Sequence, residues 1–449
     1  MERHTAPEPT KPPVADALGL TSGRTALLGA LLETHGKRAS IFALNFAVAK
    51  AITFLAPPLM AILLSADTYA SIETALSASL LIANVLSLGA GAALPRLILR
   101  RRPLSVTDFL GLHLGIGGLS LVLAASVAAV FTDGILVRLV FVSSVASLAQ
   151  IFLSSFSRAS SKRNWAVWLD GLATLTMSLT VLVLYQTRHS SLAAVTGANL
   201  LTAAAIAIAG LVIASQRYSK TTWLRWRLAI RFGLPLLAYG LLSMWIVVSG
   251  RILIPMFLSM ETAAAYAFDF RIASVAAVFH AMVATGLFAK TYTMTTADFD
   301  HYISIYLGML SVVASMVCIA FAAFSNYLPG EFMSRNGSLA LELFPIVSVQ
   351  VYAWLAGALI ELRLNREGVA GKASLAVLAV SIAIVISICA IHLAGFLSAK
   401  IFALALAAQS ALIINVNIIV LSRKGPALRK IQIAATAGCA LILLTMAAH

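Results

Sequence analysis

Apolar side chains in this chain come in long unbroken runs, separated by short polar breaks, rather than in the alternating or one-sided patterns of soluble strands and helices. A helix needs roughly 20 predominantly apolar residues to cross a hydrocarbon core about 30 Å thick, because lipid offers no partner to an unpaired backbone group. Thirteen segments meet that requirement, near 41 to 64, 73 to 96, 108 to 131, 135 to 157, 165 to 185, 192 to 215, 232 to 258, 262 to 289, 302 to 325, 339 to 362, 370 to 396, 399 to 421 and 431 to 448. The thirteenth is short and runs out at the last residues, so a helix lying in the interface fits it as well.

Composition supports the same picture. Of 449 residues 60% are apolar and 11% charged, and mean hydropathy is +0.95, whereas a soluble domain carries about 25% charged residues. The formal charge of +15 would point to nucleic acid if it formed a face on a soluble fold, but it is distributed by topology. Counted from a cytoplasmic N-terminus, 25 of the 32 Lys and Arg fall in inside loops and only Arg188, Arg335 and Lys400 in outside ones. That is the bias expected of a multispanning protein whose positive loops stay in the cytoplasm. Nucleic acid is therefore not an expected partner. Cys318, Cys389 and Cys439 lie far apart in separate apolar runs, with no spacing that suggests a metal or a disulfide framework.

The chain divides into five parts. Residues 1–38 form a cytoplasmic tail whose first 15 residues carry four prolines, few apolar side chains and no helical period, as in a disordered segment. Its short apolar run Ala26 to Leu32, followed by Glu33, Lys37 and Arg38, does not fit a signal peptide. Residues 39–215 hold six spans, 216–231 a basic linker with Trp223 and Trp226, 232–422 six more spans, and 423–449 an additional C-terminal helix. A short repeat supports the two halves. Leu64-Ser65-Ala66-Asp67-Thr68 follows the first span and Leu258-Ser259-Met260-Glu261-Thr262 the seventh, 194 residues apart, as in transporters built from repeats that rock about a central site. The expected fold is an all-α integral membrane protein of two pseudo-repeated six-helix bundles with 12 or 13 transmembrane helices.

Two stretches carry a family resemblance. One is Phe54-Leu55-Ala56-Pro57-Pro58, continuing through Leu64 to Tyr69 and on to Leu88-Gly89 and Leu94-Pro95-Arg96. The other is Phe232-Gly233-Leu234-Pro235-Leu236-Leu237, Trp245, Arg251-Ile252-Leu253-Ile254, Phe257-Leu258-Ser259 and Tyr266 to Ser274. With them the chain resembles the polysaccharide and O-antigen flippases of the multidrug, oligosaccharidyl-lipid and polysaccharide exporter superfamily. The resemblance implies alternating-access movement of a polyprenyl-diphosphate-linked oligosaccharide across a bacterial plasma (inner) membrane, for polysaccharide biosynthesis or export. It implies the lipid-linked oligosaccharide and membrane lipids as partners, a glycan polymerase and export machinery as neighbours, no cofactor, and coupling to a proton or sodium gradient.

Ionisable groups within spans are costly, and they mark cavities and substrate paths. Lys50 lies near the middle of the first span, as a cation for a diphosphate or as a lysine whose stem reaches the interface. Arg251, Asp269 and Arg271 share the outer half of spans seven and eight. At 100° per residue Asp269 and Arg271 point about 200° apart, so an Arg251–Asp269 ion pair is expected, leaving Arg271 for phosphate, which suits a planar guanidinium. Lys50, Arg251 and Arg271 are the expected substrate-binding residues; a buried ionic lock without substrate contact is the competing reading of the same charges. Arg138, Glu73, Glu342 and Asp170 are expected at solvated span ends. Pro57, Pro58, Pro235, Pro255 and Pro345 are expected to bend helices. No motif for a metal-assisted or glycosidic reaction occurs, so no catalytic residue is expected. A multidrug cation antiporter on the same fold is the alternative function.

Overall fold

A computed structural model describes residues 36–89, 135–159, 223–327, 337–422 and 428–447, together with Val167, Trp168 and Val183. The described residues are helical, with short turns between helices. In chain order they form α1 (Gly36–Leu63), α2 (Ala66–Leu86), α3 (Ile135–Ala159), α4 (Trp223–Phe257), α5 (Met260–Ala273), α6 (Ala276–Thr293), α7 (Thr296–Phe324), α8 (Ser338–Glu367), α9 (Ala370–Leu393), α10 (Ala399–Ser422) and α11 (Leu428–Ala447). A 3₁₀ turn, Ser325–Tyr327, follows α7. Ten of the thirteen expected spans fall on these helices. Those near 108 to 131 and 192 to 215, nearly all of that near 165 to 185 with Asp170, and most of the N-terminal tail lie outside the described residues. Residues Phe46–His449 form one compact unit and Met1–Asn45 another.

Among the described residues, six helices are long and apolar enough to cross a membrane, and α5 with α6 makes a seventh if the pair is one broken span. Two helices show how the chain meets lipid. On α7 the exposed apolar residues include Ile305, Met309, Val312, Met316 and Ile319, and on α9 Leu375, Leu378, Ile382 and Ile386. Both sets step by three or four residues and so form one stripe along one helix face, suited to acyl chains. Polar side chains turn the other way: Ser311, Ser315, Ser374 and Ser381 are buried, and Gln409 donates to Ser381 across the α9–α10 contact.

Helix α5 is the most enclosed. Every residue from Ala263 to Phe270 is buried, so this stretch has no lipid face. Its small Ala263, Ala264, Ala265 and Ala267 allow the close backbone approach that holds membrane helices together, and α5 packs on α2, α4 and α8. The α5–α6 break bends by 48°. It falls at Ser274 and Val275, and Ser274 donates its hydroxyl to the Phe270 carbonyl at 2.5 Å. A serine bonding back to the carbonyl four residues earlier bends a helix without proline. Meanwhile α1 and α8 continue as helices through Pro57, Pro58 and Pro345.

The repeat proves to be structural. Ser65 caps α2, accepting from the Thr68 amide at 3.3 Å, and Ser259 caps α5, accepting from the Thr262 amide at 3.1 Å. In both turns the serine and threonine hydroxyls also bond, at 2.8 and 2.9 Å. Two span ends differ from expectation. Helix α2 begins at Ala66 rather than 73, because Ser65 is its N-cap. Helix α8 continues to Glu367 rather than 362, and closes at Gly368 in the left-handed conformation, φ 73°. The extra turn carries Arg363 and Arg366 into buried positions, where Arg363 pairs with Asp300 of α7 and Arg366 donates to the Met294 carbonyl. Part of the expected linker is helix as well, since α4 starts at Trp223. Helix α11 packs along α7 and α8, with Gly438 pressed against the Tyr352 ring.

Candidate functional site

The charged site grows from the two capped turns. Glu73 lies eight residues past Ser65 on α2, and Arg251 eight residues before Ser259 on α4. At 1.5 Å per residue both sit about 12 Å from the turns. Arg271, twelve residues into α5 from Ser259, sits about 18 Å deep. The two arginines converge on one carboxylate. Arg251 donates Nη1 to Glu73 Oε2 at 2.9 Å. Arg271 approaches side-on, Nε to Oε1 at 3.1 Å and Nη2 to Oε2 at 2.9 Å. Glu73 is 1% exposed and Arg251 5%, whereas Arg271 is 23% exposed.

Secondary contacts fix this geometry. Arg251 gives Nη2 to the Val247 carbonyl one turn earlier, at 3.2 Å, and its guanidinium carbon lies 4.9 Å from the centre of the Phe270 ring. Thr74 donates to the Arg251 carbonyl at 2.9 Å, a second bond between α2 and α4. Tyr266 donates to Gln350 of α8 at 2.8 Å, which ties the buried helix to its other neighbour. The cluster thus joins α2, from the first half of the chain, to α4 and α5, from the second. Two guanidinium groups against one carboxylate leave one unit of positive charge on these three side chains. The least buried of them, Arg271, is the one able to meet an anion.

The expected residues are distributed as follows. Arg251 and Arg271 are brought together. Lys50 sits on α1, 6% exposed, with its ammonium 5.9 Å from the centre of the Phe46 ring. The expected Arg251–Asp269 pair is corrected: Arg251 bonds Glu73, and both carboxylate oxygens of Asp269, itself fully buried, have no hydrogen-bond partner among the described residues. Glu73, expected at a solvated span end, is the centre of the site. The cause is the start of α2, which places Glu73 two turns inside the helix. Glu342 does lie half exposed at the start of α8, paired with Lys400 of α10. Among the described residues no group of His, Cys, Asp or Glu could hold a metal ion.

A small, largely apolar cleft lies inside the second half of the chain, where Ile246, Trp354 and Ile413 line it together with Tyr239, Ser243 and Asn417. Asn417 donates to Tyr239 at 2.6 Å and Ser243 to Glu361 at 2.8 Å. These bonds satisfy groups that would otherwise stand alone between α4, α8 and α10.

No protein-family model matches the sequence, and no curated protein matches it at a significant level. Solved structures do. A MATE in the straight conformation covers 92% of this chain and 95% of its own, with a TM-score of 0.54 and 14% identity. The MATE multidrug transporter DinF-BH covers 93% and 98%, with a TM-score of 0.56 and 13% identity. A MOP superfamily transporter from Pyrococcus furiosus, whose binding pocket of reversed polarity suggests a different function, covers 92% and 95%, with a TM-score of 0.54 and 15% identity. The chain has the fold of these membrane transporters, two helical bundles of a multi-pass protein. At such identities the likeness is one of fold alone.

Proposed function

We propose that this protein is a flippase that moves a polyprenyl-diphosphate-linked oligosaccharide across a bacterial plasma membrane by alternating access, its N-terminus on the cytoplasmic side. One observation carries this reading: the carboxylate of Glu73 is shared by two arginines, which leaves net positive charge at depth between the two halves. A diphosphate headgroup presents oxygens that match a guanidinium in bidentate geometry. Arg271 is the group to receive it, and Lys50, buried in the first half, adds a second cation. The sequence resemblance to polysaccharide flippases points the same way, and a partner supplying or polymerising the glycan would follow from it.

The alternative on the same fold is export of cationic drugs. Such a cargo would favour an acidic lining, and the buried acid of the three-residue cluster is already neutralised twice over. Charge reversal at Lys50, Arg251 and Arg271, scored for surface polysaccharide and for protein abundance together, tests the proposal. Lys50→Glu and Arg271→Glu are expected to abolish export at normal abundance. Preserved export in all three reversals would refute it, and dye resistance conferred by the wild-type protein without any glycan defect on deletion would establish the alternative.

A further inference from the structure

Helix α11 has two faces of different kind. Inward, Ile431, Ala435, Gly438 and Ile442 are buried, stepping by three or four residues along one side of the helix that packs on α7, α8 and α10. Outward, Gln432, Ile433, Thr436, Ala437, Ala440 and Leu441 are exposed. No residue from 431 to 442 is charged.

This outward face is unlike the others that meet lipid. The stripes on α7 and α9 expose large apolar side chains, and the exposed Ser387 of α9 returns its hydroxyl to the Ala383 carbonyl of its own helix. Thr436 of α11 does the same with the Gln432 carbonyl, at 2.9 Å. The Gln432 amide cannot be satisfied in that way. Its Nε2 donates to Asn415 Oδ1 of α10 at 2.7 Å, but a glutamine side chain offers a second N–H and an oxygen besides. Nor does it sit at the border of the membrane. Asn415 lies six residues before Leu421, where the apolar stretch of α10 ends, and Gln432 four residues after Leu428, where α11 begins, so the pair is about 6 to 9 Å inside the ends of both helices. At that depth water is scarce, and an amide that faces outward is best matched by another polar group on a neighbouring helix.

We propose that this face of α11 is where two copies of the protein meet, around a two-fold axis along the membrane normal, with the Gln432 amides of both copies bonded to each other at the centre. All copies insert in the same orientation, so such an axis sets each residue opposite its own counterpart at equal depth. Only a group that is donor and acceptor at once is complementary to itself. A lysine or an aspartate would repel its counterpart, whereas an amide gives one N–H and accepts another. The short side chains of Thr436, Ala437 and Ala440 beside it let two backbones come close enough for the amides to reach. Helix α11 packs on α7, α8 and α10, and the charged cluster joins α2, α4 and α5, so pairing through α11 leaves the cluster of each copy uncovered. The inference goes beyond the proposed function and holds whatever the cargo is.

The full-length chain, fused at its N-terminus to a donor or an acceptor fluorescent protein, is reconstituted in liposomes of phosphatidylethanolamine and phosphatidylglycerol over a range of protein-to-lipid ratios. Energy transfer is expected to exceed random proximity and to fall on dilution along a monomer–dimer curve. Gln432→Leu should weaken association about three- to twentyfold, the range for a hydrogen bond between membrane helices. Ala437→Phe, which leaves the bond to Asn415 in place, should weaken it as well. In a chain with its three native cysteines changed to Ala, Ala437→Cys should give a self-disulfide on mild oxidation in membranes, and Val312→Cys, on the outward stripe of α7, should not. The disulfide test needs neither of the other variants, so a failure of one of them to fold leaves the proposal open to refutation. Transfer no greater than random proximity would overturn it, as would association that either variant leaves unchanged, or self-disulfides at 312 as readily as at 437. A disulfide from position 437 to a different protein in cell membranes, with none to itself, would assign the face to that protein and equally overturn the pairing of two copies.

Discussion

Glu73→Gln removes one charge from the site while keeping its shape, and its cost can be worked from the contacts. Breaking a buried pair by deleting one partner costs about 3 to 5 kcal/mol, because the remaining charge is left uncompensated. Arg251, 5% exposed, should incur that cost in full. Arg271, 23% exposed, can turn toward water and adds little. The glutamine carbonyl still accepts one of the three N–H bonds the carboxylate accepts, which returns about 1 kcal/mol. The net expectation is a loss of about 3 kcal/mol, measured by reversible unfolding in mixed micelles with tryptophan fluorescence or circular dichroism as readout. A double-mutant cycle should give a larger coupling of Glu73 to Arg251 than to Arg271. If Glu73→Gln lies within about 0.5 kcal/mol of wild type, the range of an ordinary surface substitution, this carboxylate does not hold the halves together.

Other contacts make narrower predictions. Ser65→Ala and Ser259→Ala should each destabilise by about 1 kcal/mol, the usual worth of an N-cap, and by similar amounts in the same unfolding assay, because the two turns repeat one geometry. Gly89→Ala should cost more than about 1 kcal/mol: Gly89 has φ 69° and an added methyl would strike the Gly233 backbone; a neutral effect there would deny the close α2–α4 approach. Gly438→Leu should drive α11 off Tyr352 and raise the labelling of the neighbouring Cys439 by a thiol reagent in membranes, with unchanged labelling counting against the packed position of the last helix.

How the two halves are held follows from where these contacts fall. Helices α2 and α4 run antiparallel, touching through Glu73 and Thr74 against Arg251 near the capped turns and through Gly89 against Gly233 at the far end. The two contacts are separated by about 24 Å along α2, most of the thickness of a hydrocarbon core. They differ in kind. The glycine contact is steric and carries no charge, so its energy varies little with pH. The charged contact can be undone by anything that competes for Glu73, Arg251 or Arg271, an anionic headgroup included. A motion that opens the charged end about the glycine end is therefore the least costly way to part α2 from α4.

Much of this fold is legible because lipid imposes a coarse rule. Long apolar runs must be helices, and ten such runs coincide with described helices, down to the five-residue repeat whose two copies are equivalent caps. The ion pair escapes a reading of the sequence for a local reason. Hydropathy joins span seven to span eight by a three-residue turn, from 258 to 262, but span one to span two by an eight-residue gap, from 64 to 73. That gap strands Glu73 at a surface that does not exist. Carried through consistently, the repeat starts span two near 68, leaving Glu73 inside a helix and in need of a partner. Asp269 shows the other limit. Its separation of 18 residues from Arg251 across a tight turn makes a pair geometrically natural, and sequence spacing cannot reveal that a second carboxylate, 178 residues away, occupies the arginine first. That Glu73, and not Asp269, takes the Arg251 guanidinium is a property of the packed helices, in which α2 lies against α4 and brings a carboxylate from the first half of the chain to an arginine of the second.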